Sequence, residues 1–163
     1  MNITVAIIVL LSTWKWGDWR NWQKYHTTML LVMAGNLLYQ FIYYSHLLWE
    51  IQPDITNHTV VEVFYSVFIF PLTALMFLSN YPVPFKNQIL HILKYIAVYT
   101  FFEFVFSISG RITYHYGWNL FWSLGWNFVM FPIWALHHKR PLMAYGVSSI
   151  VVIVILLIFP VTA

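Results

Sequence analysis

Five apolar runs of about twenty residues, each the length needed to cross a ~30 Å hydrocarbon core, constrain this chain more than any other feature. They cover 27–49, 59–78, 88–107, 117–136 and 142–159, and a shorter run at 2–13 precedes them. Together they use up most of the 163 residues and leave no stretch for a soluble domain. Apolar residues make up 61% of the chain and charged residues 8%, against ~45–50% and ~25% in soluble domains. A soluble fold with so few charges could not cover its surface. The pattern predicts an all-α, polytopic transmembrane bundle forming one integral membrane domain over 1–163. Its six helices are expected at about 2–14, 27–49, 59–78, 86–108, 117–137 and 142–160.

The first run has no basic segment before it, and Trp14, Lys15 and Trp16 stand where cleavage needs small residues. It therefore reads as a retained, short first helix and not as a secretory leader. Orientation follows from the Lys and Arg distribution. Loops one, three and five carry Lys15, Arg20, Lys24, Lys86, Lys139 and Arg140, whereas loops two and four carry only Arg111. The odd loops are expected in the cytoplasm, with both termini outside. The acids Glu50 and Asp54 fall in the outer second loop. A pI near 9.2 then reports orientation, not nucleic-acid binding.

Loop one has its own logic. Trp16, Trp19 and Trp22 recur every three residues, Arg20 and Lys24 sit four apart, Gly17 breaks the preceding helix and Asp18 can cap a new one. This predicts an amphipathic turn lying among headgroups, either a plain anchor or a site for anionic lipid or a partner. Pro71 and Pro132 lie inside expected spans, where each frees a backbone carbonyl that a neighbour must satisfy.

Polar residues recur at three- and four-residue steps within the spans. Helix two offers Asn36, Tyr39, Gln40, Tyr43, His46 and Glu50; helix three Glu62, Tyr65, Ser66 and Thr73; helix four Thr100, Glu103, Ser107 and Arg111; helix five Asn119, Ser123 and Asn127. Such stripes are costly against lipid and should turn toward one another. His46, Glu50, His58, Glu62, Glu103, Arg111 and His115 map to the outer ends and predict an outward-facing polar basin, with Asn36 and Asn127 deeper. Glu103 is the deepest acid, and Arg111 is its nearest partner in sequence. The stripes serve either as glue between helices or as a pocket or conduction path. Lys94 is expected to snorkel to the cytoplasmic headgroups, and His137 and His138 to touch them.

Chemistry narrows further by what is missing. With no Cys there is no thiolate chemistry, and neither His46 and Glu50 nor His58 and Glu62 form an H-E-x-x-H arrangement. No metal and no cofactor is therefore expected. No G-x-S-x-G and no phosphate-binding glycine loop occurs, so a catalytic assignment has no residues to rest on. Asn2-Ile3-Thr4 and Asn57-His58-Thr59 match the glycosylation triplet, a frequent chance pattern.

Several blocks together resemble a family of small, uncharacterised integral membrane proteins of endospore-forming Firmicutes. They are KWGDWRNWQKY at 15–25, GNLLY at 35–39, NHT at 57–59, YHYGWN at 114–119, and 127–132 with Leu136-His137. The resemblance implies a bacterial plasma-membrane protein of this length and transfers no activity. Tryptophan-rich sensory proteins are similar in length and Trp content but have five spans and another motif layout. The expected function is a non-enzymatic envelope protein that binds a partner protein or lipid, alone or as a homo-oligomer. The alternative is a small transporter or channel component that uses Glu103 and Arg111.

Overall fold

The computed structural model describes residues 2–53 and 57–161. Helix α1 spans Asn2–Trp16, and a 3₁₀ segment, Trp19–Lys24, leads into α2 at His26–Ile42. Helix α3 covers His58–Ser79, α4 Phe85–Ile108, α5 Leu120–Lys139 and α6 Pro141–Ile158. Strands β1, Trp49–Ile51, and β2, Ile112–Tyr114, form an antiparallel ribbon at one end of the bundle. Among the described residues, α3, α4 and α6 are each long and apolar enough to cross a membrane, and α1 is a shorter apolar helix. The architecture is helical, as the hydropathy pattern predicts.

One expected boundary is corrected. The second helix was expected over 27–49, yet α2 ends at Ile42 and residues 49–51 are a strand. The reason is tertiary: Trp49, Glu50 and Ile51 find backbone partners in Tyr114, Thr113 and Ile112, far away in sequence. The other helix ends differ from expectation by three residues or fewer. Asp54 lies outside the described residues, as do both chain ends.

Local chemistry starts and bends the helices. The Asn57 side chain accepts from Val60 N–H at 2.9 Å and opens α3, and Asn119 does the same for Phe121 N–H at 2.9 Å in α5. Pro141 stands at the first turn of α6, where a missing N–H costs nothing. Within α3 a π-turn, Tyr65–Ile69, immediately precedes Pro71. A widened turn there is a recognised way to fit a helix around an interrupted hydrogen-bond ladder. Thr73 Oγ1 donates back to Ile69 O at 2.8 Å.

Helix α3 is the central rod, packed against α1, α2 and α5. The core gathers around Phe77, which is fully buried and rings with Tyr81, His91, Tyr95, Phe131 and Trp134 at centroid distances of 5.0–6.1 Å. Helix α6 fully buries only Ala144, packs Ile155 and Leu156 against Trp118 and Phe159, and leaves much of its Val, Ile and Leu surface exposed.

At the other end from the ribbon, Gly17 is sterically required. A Cβ there would stand 2.5 Å from Thr13 O, an oxygen that accepts from both Gly17 N–H at 2.7 Å and Trp19 Nε1 at 2.8 Å. Two outcomes follow. Phe77→Ala should cost about 3–5 kcal/mol through the cavity it leaves, measured by unfolding in mixed micelles. Gly17→Ala should displace the Trp19 indole, read as a shift in its fluorescence.

Candidate functional site

The residues that sequence reasoning places in a polar basin converge at the ribbon end. Glu62, one turn into α3, is 3% exposed. Its Oε1 accepts from Ile51 N–H of β1 at 2.9 Å, and its Oε2 accepts from Gln40 Nε2 of α2 at 2.7 Å. One buried carboxylate thus joins two helices to the free edge of a strand. Beside it the Tyr39 hydroxyl accepts from Trp49 N–H at 3.0 Å and donates to Trp49 O at 2.9 Å. The Tyr39 ring stacks on the Trp49 indole at 5.2 Å. Strand β2 is held the same way: Tyr114 donates its hydroxyl to Glu103 Oε1 of α4 at 2.9 Å. Burial first, and the Glu103 charge second, push the Tyr114 phenol well above its usual range, so it stays a donor.

Above this layer Glu50 of β1 collects polar partners. Its Oε1 accepts from Gln52 Nε2 at 2.8 Å and Thr113 Oγ1 at 3.2 Å, and lies 3.4 Å from His115 Nε2. Its Oε2 lies 3.3 Å from His58 Nε2, which is itself 3.5 Å from Glu62 Oε1. The imidazole therefore stands between a strand carboxylate and a helix carboxylate, at ion-pair distance from both and hydrogen-bonded through Nε2 to neither.

Several expectations change. His46 and Glu50 do not share a helical face, because the helix has ended before either; His46 shares a hydrogen bond with Ser45 at 2.9 Å and packs beside Tyr116 at 5.1 Å. The partner of Glu103 is Tyr114 and not Arg111, whose Nη1 donates to Pro53 O at 3.5 Å. His137 is not a headgroup contact: it is 2% exposed and shares a hydrogen bond with Thr28 Oγ1 at 2.9 Å. His138 does remain exposed, its ring stacked on Tyr25 at 5.4 Å. Asn36 and Asn127 lie deeper and are spent on neighbouring helices, Asn36 Nδ2 donating to Ser66 Oγ at 2.7 Å and Asn127 Nδ2 to Thr100 Oγ1 at 3.3 Å.

Two shallow cavities lie on the surface, and neither is lined by Glu62 or Glu103. An apolar groove of about 500 Å³ runs between α4 and α5 past Leu93, Phe101, Leu124 and Phe128. A polar dimple of about 270 Å³ at the ribbon is lined by Tyr44, Ser45, Leu47, Glu50, His115 and Tyr116. Tyr116 and Gly117 both adopt left-handed backbone, with φ of 54° and 84°, which only glycine accepts freely. Among the described residues no three His, Asp or Glu side chains are placed to hold a metal ion.

At the opposite end, Trp16, Trp19 and Trp22 are exposed beside exposed Arg20 and Lys24. The 3₁₀ segment is kinked at Asn21, whose φ of −116° and ψ of 26° are not helical, between Trp19 and Trp22. Asp18 precedes it but makes no side-chain cap; its carboxylate accepts from Asn21 Nδ2 at 3.0 Å and Tyr25 Oη at 3.4 Å. Asp18 N–H donates to Ser79 Oγ at 3.0 Å, and Asn80 Nδ2 donates to Trp16 O at 2.8 Å, docking the turn onto the end of α3. Lys15 lies over the Trp16 ring at 5.1 Å.

No family model, curated protein or solved structure matches the chain. The site is therefore read from its own geometry, which isolates Glu62 as the tie between strand and bundle. Glu62→Leu should free the Ile51 amide and raise its hydrogen-exchange rate by at least about tenfold, as expected for a lost charge-assisted hydrogen bond of ~1.5–3 kcal/mol. Glu62→Gln retains an acceptor for that amide and should leave most of its protection in place.

Proposed function

We propose that this chain is a multi-pass protein of a bacterial plasma membrane with no catalytic activity, acting as a binding module for a partner membrane protein or for lipid. Six helices cross or enter the bilayer, α1 being the short one, and both termini and the ribbon face outward. Lys15, Arg20, Lys24, Lys86, Lys139 and Arg140 then lie together in the cytoplasm. The observation that carries the reading is the state of the polar stripes. Asn36 with Ser66, Gln40 with Glu62, Asn127 with Thr100 and Thr28 with His137 are bonded to one another across helices. Side chains used in this way hold helices together and line no path for a solute.

Binding would then fall to the surfaces. The docked tryptophan turn combines indoles, which favour the headgroup layer, with cations that attract anionic lipid. The resemblance to small Firmicutes membrane proteins agrees with this reading and adds no activity. The transporter alternative assigns Glu103 and Arg111 to a gate or relay; Tyr114, already bonded to Glu103, would have to release it.

The absence of cysteine in the chain makes the topology directly measurable. A single cysteine at Tyr116 should react with an impermeant maleimide in intact cells, and one at Lys86 only after permeabilisation; the reverse pattern overturns the orientation. For function, Trp19→Ala with Trp22→Ala should reduce retention of anionic lipid in native mass spectra while the helical circular dichroism is unchanged. Proteoliposomes should show no flux above empty vesicles. Flux that disappears in Glu103→Gln would establish the transporter instead.

A further inference from the structure

We propose that the β1–β2 ribbon is a proton-sensitive clamp on the bundle, with His58 as the proton-accepting element between Glu50 and Glu62. The proposal does not depend on the orientation in the membrane or on the binding role.

The geometry supplies both halves of a switch. The moving half is the ribbon, three residues per strand, too short to persist without support from the bundle. The fixed half is α3, which presents His58 and Glu62 one helical turn apart. Glu50 is the side chain of the ribbon that faces them, 3.3 Å from the imidazole. Three groups that exchange protons thus stand in a row across the joint: a strand carboxylate, an imidazole and a buried helix carboxylate.

Among the described residues, the charged and imidazole groups around the row are placed as follows. On β1, Glu50 faces His58, His115, Gln52 and Thr113. On α3, Glu62 faces His58, Gln40 and the Ile51 amide. Following β2, His115 faces Glu50 and Thr113. The guanidinium of Arg111 reaches Pro53 O, and Glu103 holds the other strand through Tyr114. The row Glu50–His58–Glu62 is thus the link at which protonation bears directly on the contact between ribbon and helix.

Its sign follows from charge. With no proton on the row, two carboxylates face one neutral imidazole, which can donate through Nε2 to one of them at most. Their mutual repulsion then opposes closure. One proton on His58 turns that repulsion into attraction on both sides of the ring, and leaves the Glu62 carboxylate free to accept from Ile51 and Gln40. Closure therefore takes up a proton. The clamp is tighter at lower pH and slackens as pH rises.

The test uses the complete chain in proteoliposomes, with Val60→Cys on α3 and Tyr116→Cys beside β2, both exposed positions, carrying nitroxide labels. Distances are read by double electron–electron resonance at pH 5.5 and 8.0. The expected result is one short distance at pH 5.5 and a separated population that rises about tenfold by pH 8.0. His58→Gln should abolish that rise, and His115→Gln should leave most of it. Glu50→Gln removes the repulsion and should hold the ribbon closed at both values, which also distinguishes loss of the switch from loss of folding. An identical distribution at both pH values in the otherwise native chain overturns the proposal. So does a full pH response that survives in His58→Gln.

Discussion

Where water is scarce, each backbone or side-chain polar group needs a partner inside the protein, and this one requirement organises the molecule from end to end. Helices satisfy their own backbones. Among the described residues, the turns interrupted by Pro71 and Pro132 and the outer edges of the short ribbon do not. At the ribbon the bundle answers with carboxylates and phenols. Glu62 and Tyr39 take the amides of Ile51 and Trp49, and Tyr114 is tied to Glu103. A two-stranded ribbon of this length is not stable alone, so these side chains decide whether the end of the bundle is capped.

The same economy explains the interior. Asn, Gln, Ser and Thr at three- and four-residue steps pair across helices. Around Phe77 the core mixes aliphatic side chains such as Leu75, Leu78 and Ile96 with rings in edge and tilted contact. That arrangement pins α3 between α2, α4 and α5. It also leaves α6 with Ala144 as its one fully buried residue.

Legibility differed by element. Helices α3, α4, α5 and α6 were visible in hydropathy to within three residues at either end, because their apolar runs are long and bounded by Asn57, Pro84, Asn119 and Pro141. The end of α2 was not: Leu47, Leu48 and Trp49 continue an apolar run, and nothing local says that the backbone turns at Tyr43. Of the site, His58 and Glu62 were correctly placed one turn apart, since their spacing is a property of one helix. Glu50 reached the same cluster by a strand and not by a helical face. Tyr114 drew no attention as a partner of Glu103, whereas Arg111 did, because opposite charge is readable in a sequence and a tertiary hydrogen bond is not.

The sequence by itself determined that this chain is helical, that several of its helices are of membrane-crossing length, and that its polar residues must face inward. Those conclusions need only composition and periodicity, which are properties of neighbouring residues. Tertiary structure alone decided that residues 49–51 pair with 112–114, that His137 is buried against Thr28, and which carboxylate meets which donor. The physical reason is that a hydrogen bond between residues some sixty or a hundred positions apart depends on how rods rotate and slide against one another. That freedom leaves no trace in the local pattern.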